Sequence, residues 1–398
     1  VSLCASPQAM LVVAAPFVSD QPTTKGDELA LRIASVLAGK IGGPSHAHPK
    51  VASLSVARAV AGHAQGLVYV SAQLEKGELR VTVDSYPALA NGWDRARAPA
   101  PPPRAHAFAT APVDAEVRTF FSPVLLEQAS LHKAHHDEGN VIAAACGDID
   151  DDGGMEIALI SRARVSIGHL RGKGDQETFV ASKRADWSAL ALAAPVPLRE
   201  PLAGASFASN ALLAGTSDRG GVELGPDLSA RGSLAGIPVG GSRCARVDPA
   251  AAAFAGDSRW CGALSDASAV AMPLAHFDAG AVASIVDARG VARSITAARD
   301  SDGKLVVRFG TGTRTFDDVG AQVAVGDLDL DGIPEIVTTR NVASDDAIEI
   351  WSYDGSQTRE RKKIPAPGGV SAFAICPPEA NGAPALVAVV GSEVWLVR

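Results

Sequence analysis

Residues 325–337 read VGDLDLDGIPEIV, and this stretch organises the interpretation of the whole chain. It joins one apolar strand to a second through a short acidic loop. Residues 146–158 read CGDIDDDGGMEIA and repeat the pattern. In both copies carboxylates stand at loop positions one, three and five, a glycine follows at six, and a glutamate stands at nine. Two copies so similar indicate a repeated structural unit.

The spacing of these loops predicts calcium binding. Ca²⁺ takes about six to eight oxygen ligands, and carboxylates on alternate residues of a curling loop can converge on one point. Glycine at position six permits the sharp turn, and position seven can offer a backbone carbonyl. An Asp/Gly-rich hairpin turn without metal is the alternative, but its close carboxylates would repel one another. The predicted ligands of two calcium ions are Asp148, Asp150, Asp152, Gly154 and Glu156 in the first loop, and Asp327, Asp329, Asp331, Ile333 and Glu335 in the second.

Over about thirty residues each, the two segments resemble the FG-GAP (VCBS-type) repeat of integrin alpha-chain propellers and many secreted bacterial proteins. In that family an Asp-x-Asp-x-Asp-Gly-x-x-Asp loop joins two strands of a propeller blade and binds calcium. Here Glu156 and Glu335 replace the last aspartate. Because glutamate is a longer oxygen donor, we expect an altered geometry and not a lost site. The resemblance implies a mainly β fold, a β-propeller.

From residue 117 to 398 the chain is predicted to repeat a unit of three apolar strands. The aligned positions Asp148, Pro195, Asp248, Asp287, Asp327 and Pro377 are 47, 53, 39, 40 and 50 residues apart. A four-stranded propeller blade needs about 40–45 residues, so six copies predict six blades. Segment 118–128 either supplies the strand that closes the ring or starts a seventh blade. The copies are predicted at 142–172, 190–232, 243–274, 281–310, 322–355 and 370–398.

The other repeats have lost the acidic ligands. Residues 287–290 read DARG, and the hairpin at 300–303 has two acids and a glycine without a closing carboxylate, which favours a plain turn. Residues 236–242 are also interpreted as a turn. The two retained loops are therefore predicted to be structural sites, each of which stabilises one strand connection.

Residues 10–95 are predicted to form a small α/β module ahead of the propeller. The order of its elements resembles the N-terminal domain of the Tol-system periplasmic propeller protein. Residues 96–116 contain four prolines between 99 and 103 and predict a stiff linker. Residues 1–9 are interpreted as the remnant of a leader or tail. The predicted elements of the module are a strand at 10–15, helices at 26–38 and 51–65, and strands at 67–74 and 78–84.

The five cysteines include no CxxC pair, so a zinc site of that type is not expected. Cys244 and Cys261 could form a disulfide or be two small buried residues. Cys146 and Cys376 occupy similar places in their repeats and are interpreted as core packing. Cys4 follows Val-Ser-Leu, which partly matches a lipoprotein cleavage box and equally fits the end of a signal peptide.

Charge and composition narrow the classes of partner. The net charge of −8 argues against nucleic acid, which favours a basic surface. The sequence contains no run of eighteen apolar residues, so it predicts no membrane-spanning helix. An extracytoplasmic, bacterial location (periplasmic, outer-membrane-associated or secreted) is expected from the repeat family, and millimolar calcium outside cells suits such loops.

Few residues outside the loops suggest catalysis. His132 and His136 could share a helical face and bind zinc, but a solvated loop is favoured for 131–138, as for 45–48. Neither Gly-x-Ser-x-Gly nor a phosphate-binding glycine loop is present. We therefore expect a non-catalytic, calcium-binding scaffold that contacts a protein or glycan at a propeller face. A cell-envelope hydrolase or lyase with its site in the propeller channel is the alternative.

Overall fold

The structure is a computed structural model, and it divides the chain into two compact units. One unit comprises Val1–Pro123 and Val286–Ala292, and the other comprises Val124–Ile285 and Arg293–Arg398. The described residues are 10–19, 25–41, 45–48, 50–61, 66–75, 78–87, 93, 96, 101–121, 124–150, 152–172, 174–193, 201–262, 269–287, 291–342, 345–378 and 383–398.

The first unit is a mixed sheet with a helix packed on each face. The strand order is β3-β1-β4-β5-β6, and β2 pairs with β4; β3 and β4 run parallel to β1, whereas β5 and β6 continue antiparallel. Val12 and Ala14 pack against α1, while Leu11 and Val13 pack towards α2, because alternate strand residues point to opposite faces. The elements are β1 (Met10–Ala14), β2 (Val18–Ser19), α1 (Gly26–Ile41), β3 (His46–His48), α2 (Leu54–Ala61), β4 (Gly66–Glu75), β5 (Glu78–Pro87), β6 (Ala105–Pro112) and α3 (Ala115–Thr119).

The predicted α/β order of this unit agrees with the structure, but two of its boundaries are wrong. Within the predicted linker 96–116, residues Ala105–Pro112 form β6, which pairs with β5 over eight residues. The first of the two compact units extends to Pro123, beyond the predicted end of the linker at residue 116. Segment 45–48 contains strand β3 and is not only a loop. Its pairing with β1 depends on a distant strand, which local sequence does not reveal. The predictions for residues 1–9, including Cys4, lie outside the described residues.

The second unit consists of six sets of four antiparallel strands, which we call sheets 1 to 6. It opens with a 3₁₀ turn (Leu126–Gln128) and β7 (Leu131–His135). Sheet 1 has β8 (Val141–Gly147), β9 (Glu156–Ser161), β10 (Arg164–Arg171) and β11 (Thr178–Asp186), with a 3₁₀ turn at Gly174–Gln176 and α4 (Trp187–Leu190) after it. Sheet 2 has β12 (Ala203–Ala208), β13 (Ala211–Thr216), β14 (Gly220–Leu224) and β15 (Ala230–Ser233). Sheet 3 has β16 (Ile237–Gly240), β17 (Arg243–Asp248), β18 (Ala253–Trp260) and β19 (Val270–Phe277).

The remaining three sheets complete the unit. Sheet 4 has β20 (Ala279–Val286), β21 (Ala292–Arg299), β22 (Leu305–Phe309) and β23 (Gly312–Phe316). Sheet 5 has β24 (Val319–Gly326), β25 (Glu335–Arg340), β26 (Ala347–Tyr353) and β27 (Thr358–Pro365). Sheet 6 has β28 (Val370–Cys376), β29 (Ala385–Val390) and β30 (Glu393–Val397), and β7 is its fourth strand. One β7–β11 residue pair joins sheets 6 and 1 into a continuous eight-stranded sheet.

The six sheets form a closed ring. The first strand of every sheet lines one cavity of about 1040 Å³. A buried apolar cluster lies between each pair of successive sheets, including sheets 6 and 1. β7 completes the ring because it pairs antiparallel with β30, from Leu131↔Val397 to His135↔Glu393. The second unit is therefore a β-propeller, as predicted.

The structure corrects several details of the predicted repeats. The closing strand is Leu131–His135 and not segment 118–128. His132 and His135 therefore lie on a strand, and the next residue, His136, is buried. Residues 237–240, interpreted as a turn, form the channel-lining β16. Asp248 ends the second strand of sheet 3 and not the first. These segments are short and lack acidic markers, so only tertiary pairing distinguishes them.

Two disulfides are present, and one contradicts its prediction. Cys244 pairs with Cys261. Cys146 pairs with Cys376 across a sequence separation of 230 residues. Both had been expected to be core-packing residues and not a disulfide. Both lie near the ends of first strands, β8 and β28, that are neighbours in the ring. This bond therefore joins sheet 1 covalently to sheet 6, beside the non-covalent closure by β7.

Candidate metal centres

Each acidic loop connects the first and second strands of its sheet. The first follows β8 and leads into β9; the second follows β24 and leads into β25. Gly153 and Gly332, at loop position six, have φ of +83° and +82°. Side chains with a Cβ rarely adopt this backbone region, so glycine is required there. Both loops begin at the channel, whose lining includes Asp148 and Asp327.

In the first loop, three carboxylates converge. Ligand atoms of Asp148, Asp150 and Glu156 lie within 4.8 Å of one another. Asp148 accepts hydrogen bonds from the backbone N–H groups of Asp152 (3.1 Å) and Gly153 (2.8 Å). Glu156 is buried and accepts a 2.9 Å bond from the Ile149 N–H through Oε2. The backbone of the loop thus orients the carboxylates towards one point.

The second loop repeats this arrangement at greater depth. Asp327, Asp329 and Glu335 form the corresponding cluster within 4.8 Å. Glu335 Oε2 accepts a 2.7 Å bond from the Leu328 N–H, and Asp327 accepts bonds from the N–H groups of Asp331 (3.1 Å) and Gly332 (3.0 Å). The side chains of Asp329 and Glu335 are 5% and 0% exposed, whereas Asp150 is exposed.

A basic side chain stands against each cluster, and the two differ. In the first, His169 Nε2 lies 3.4 Å from Glu156 Oε1 and is 35% exposed. In the second, Arg361 is 11% exposed and donates through Nη2 to Asp329 Oδ2 at 2.9 Å. Its Nη1 lies 3.9 Å from Glu335 Oε1. A buried guanidinium offsets part of the negative charge of the second loop.

The electrostatics of the second loop favour a further cation. Burial raises the pKa of Asp327 to about 7, and the charge of Asp331 adds to this shift. Burial and the charge of Asp329 raise the pKa of Asp331 to about 6 and that of Glu335 well above its usual value. In the first loop burial raises the pKa of Glu156. Burial, together with the neighbouring acids, thus disfavours the ionised form of Asp327, Asp331, Glu335 and Glu156.

Two oxygen atoms in the second loop accept no hydrogen bond from the described residues. They are Asp329 Oδ1 and Glu335 Oε1, both buried. A buried acceptor without a hydrogen bond is costly, by about 1–3 kcal/mol and more for a charged group. Hard oxygen donors of this kind are what Ca²⁺ binds. The residues present therefore fit a calcium ion.

The structure brings positions one, three and nine of each loop within 4.8 Å of one another, and position five lies outside that mutual distance, although the carboxyl of Asp331 still interacts with Asp329. Asp152 and Asp331 instead each accept a 2.7 Å bond from the N–H two residues later, that of Gly154 and Ile333. The carbonyl ligands predicted at Gly154 and Ile333 stay predictions. Sequence reasoning missed His169 and Arg361. The only available signal was a basic residue on the third or fourth strand of the two repeats that keep the acids.

The fold and these loops define the class of the second unit: a β-propeller with two acidic hairpin loops at its channel. No family model matches the sequence, and no curated protein matches it. The FG-GAP resemblance therefore stays a prediction.

Three solved structures illustrate the structural similarity that was found. AofleA from Arthrobotrys oligospora shares 8% identity over 68% of this chain and 86% of that chain, with a TM-score of 0.39. The WD40 domain of Toxoplasma gondii coronin shares 12% identity over 82% of this chain and 77% of that chain, with a TM-score of 0.39. TolB from Acinetobacter baumannii shares 8% identity over 98% of this chain and 93% of that chain, with a TM-score of 0.33.

Proposed function

We propose that this chain is a calcium-binding β-propeller protein that acts outside the cytoplasm as a non-catalytic scaffold for a protein or glycan. The observation that carries the calcium assignment is the pair of buried, unpartnered oxygens, Asp329 Oδ1 and Glu335 Oε1. They belong to a cluster of three carboxylates, and Asp148, Asp150 and Glu156 form the second cluster. The repeated spacing and the buried acceptors are independent indications of the same chemistry.

In this proposal the metal is structural. Asp327, Asp329 and Glu335 would hold one ion at the turn between β24 and β25, and the first cluster would hold another between β8 and β9. An ion that binds the folded state only adds RT ln(1 + [Ca²⁺]/Kd) to the stability. The loops tie channel-lining strands to their neighbours, so calcium would stiffen the ring.

The disulfides support a location outside the cytoplasm. The structure contains two disulfides, and such bonds persist mainly in oxidising compartments. Extracellular calcium modules work with dissociation constants of about 0.1–1 mM, which suits partly exposed loops. Within the described ranges, no helix is both long and apolar enough to cross a bilayer.

The channel lining supports a scaffold over a hydrolase or lyase. The charged lining residues are Asp148, Arg162, Asp278 and Asp327, and the described lining includes no histidine. Asp148 and Asp327 belong to the acidic loops, and Asp278 is paired with Arg299. Acid–base catalysis requires a positioned proton donor and acceptor at one substrate. The remaining lining is mostly alanine, glycine and branched apolar side chains.

Calcium content and thermal stability test the proposal directly. The full chain should bind two Ca²⁺ by calorimetry and native mass spectrometry, and EGTA should lower its Tm. Asp150→Ala with Asp329→Ala should abolish both effects. Asp302→Ala is the matched control, because Asp302 is an exposed acid in the Asp/Gly hairpin after β21, and it should change neither. A wild-type chain that binds no calcium and melts identically in EGTA would refute the metal assignment.

The scaffold role needs a separate test. The full chain, with and without calcium, is screened on a glycan array and by cross-linking mass spectrometry in a cell-envelope extract. A specific glycan or protein contact on a propeller face, lost in EGTA, is the expected result. Turnover of a glycan or ester substrate that requires channel residues would instead establish the enzyme alternative.

A further inference from the structure

The two loops contact different parts of the ring through the residue at their second position. Ile149 and Leu328 are both 2% exposed, and each donates its N–H to the closing glutamate of its loop. Ile149 packs into the cluster between sheets 1 and 2. Leu328 packs into the cluster between sheets 5 and 6, which also contains Leu126, Trp395 and Val397. The first loop also reaches sheet 6, because Met155 packs on the cluster that contains Val394 and Leu396. Among the described residues, however, only the cluster at the second loop contains a residue of the segment that leads into β7, Leu126.

Arg361 gives the second loop another connection to the same region. It donates to Asp329 Oδ2, through Nη1 to Ser352 Oγ at 2.9 Å, and through Nε to Glu127 Oε1 at 2.8 Å. Glu127 lies next to Leu126, four residues before β7 begins. A single guanidinium thus bridges a candidate calcium ligand and the segment that leads into the closing strand.

The first loop lacks such a bridge. Arg361 is the extra residue at a β-bulge in β27, between the pairs Ile350↔Lys362 and Trp351↔Glu360. The same bulge occurs in β11, between Ile167↔Lys183 and Gly168↔Ala181, and its extra residue is Ser182. Ser182 donates to the Ile167 carbonyl at 3.0 Å. The two positions are structurally equivalent, so Ser182 serves as a natural reference for Arg361.

We propose that cation binding at the second loop is coupled to docking of the closing segment, residues 124–135, through Arg361–Glu127 and through Leu328. This inference rests on the calcium sites of the proposed function. It adds that the second site controls how often the closing segment opens, whereas the first does not.

The coupling follows from how the carboxylate oxygens are shared. Asp329 accepts from Arg361 through Oδ2, and its Oδ1 accepts no hydrogen bond from the described residues. Glu335 accepts from the Leu328 N–H through Oε2, and its Oε1 accepts none. A cation held by the second oxygen of each side chain fixes the first. Orientation of ligands by such outer partners is general in metal sites. The ion therefore immobilises the groups that hold Arg361 and Leu328 against the closing segment.

The closing segment also has anchors that do not depend on the loop. Lys362 Nζ donates to the carbonyls of Glu127 (3.1 Å) and Ala129 (2.8 Å). After β7, the buried carboxylate of Glu138 pairs with Arg184, whose Nη2 lies 2.6 Å from Glu138 Oε1. The ring thus stays closed without the cation, and the cation changes how often the segment opens. Because coupling is reciprocal, docking of the segment also raises the calcium affinity of the second loop.

Hydrogen exchange of the full chain, read by mass spectrometry in calcium and in EGTA, tests this coupling. In the wild type, calcium should slow local exchange of 126–135 by about tenfold. Arg361→Ser should reduce that difference, since the packing of Leu328 against Leu126 remains, while calorimetry still detects calcium at the first loop. Ser182→Ala is the matched control and should keep the difference. Exchange of Ala253–Trp260, in sheet 3 away from both loops, serves as the reference within each sample.

The outcomes separate the inference from the proposed function. If the wild type binds no calcium, the metal sites themselves are refuted. If it binds two ions and 126–135 exchanges equally in calcium and EGTA, only the coupling is overturned. An undiminished calcium effect in Arg361→Ser also overturns it. If Arg361→Ser fails to fold, Glu127→Gln decides, because it leaves the Arg361–Asp329 pair intact: a reduced calcium effect supports the coupling and an unchanged one refutes it.

Discussion

The loops at 148–156 and 327–335 share one sequence pattern but differ in their surroundings. The first lies partly exposed beside a half-exposed histidine and directly follows the Cys146–Cys376 disulfide. The second is buried against Arg361 and has valine, Val325, where the first has Cys146. Equivalent ligands therefore operate with different countercharge and different connections to sheet 6. A repeated motif therefore predicts the geometry of a loop but not how much that loop contributes to stability.

The disulfide beside the first loop should give the largest difference. Cys146→Ala with Cys376→Ala opens a loop of 230 residues in the unfolded chain, so we expect a loss of about 5 kcal/mol of unfolding free energy. Cys244→Ala with Cys261→Ala opens a loop of 17 residues and should cost about 3 kcal/mol. Chemical denaturation measures both. Equal losses of unfolding free energy in the two variants would show that ring closure does not depend on the Cys146–Cys376 bond. The calcium affinity of the second loop should change in neither variant.

Removal of the middle ligand should distinguish the loops next. In saturating calcium, Asp329→Ala removes a calcium ligand and one of the two carboxylates that bind Arg361, Glu127 being the other, and should cost about 2 kcal/mol. Asp150→Ala removes an exposed ligand and should cost about 1 kcal/mol. In EGTA the cost of Asp329→Ala should shrink, because the variant also relieves repulsion with Asp327 and Asp331. Thermal and denaturant unfolding under both conditions measure these changes; an equal cost for the two variants would contradict the role of burial.

The turn glycines should make the loops behave alike. Gly153→Ala and Gly332→Ala each place a Cβ at a positive φ, and each should cost about 1 kcal/mol. Apart from its two chain neighbours, no described residue has an atom within 4 Å of a Cβ placed at Gly153, so the cost there should be conformational. Denaturant midpoints test this expectation. A much larger effect in one loop would mean that the two turns are not equivalent.

The smallest expected effect concerns the histidine of the first loop. His169 is half-exposed and its Nε2 is 3.4 Å from Glu156, so His169→Ser should change stability by about 0.5 kcal/mol or less. It should also leave the exchange of 126–135 unchanged, unlike Arg361→Ser. Calorimetry and hydrogen exchange measure both quantities. If His169→Ser lowered the stability as much as Asp329→Ala does, His169 and Arg361 would matter equally to their loops, and the contrast between the loops would disappear.

Some of the tertiary facts had a partial signal in the sequence. Cys146 and Cys376 stand at similar places in the first and last repeats, which become neighbours once a ring closes. That reasoning would have predicted their disulfide. The closing strand had no comparable signal, because Leu131–His135 carries two histidines and a lysine and looks polar by itself. Its strand conformation comes from pairing with β30, more than 250 residues away.

The amino-acid sequence alone is sufficient to predict the propeller, the order of the N-terminal module and the convergence of carboxylates at positions one, three and nine. These features depend on short-range spacing: alternating apolar residues, glycine at a left-handed turn, and acids two residues apart. The partners of the loops were decided only by the folded ring. Arg361 reaches the second loop from the fourth strand of the same sheet, and Leu126 and Glu127 meet Leu328 and Arg361 only because the segment before β7 packs beside sheet 5. No local pattern encodes these contacts.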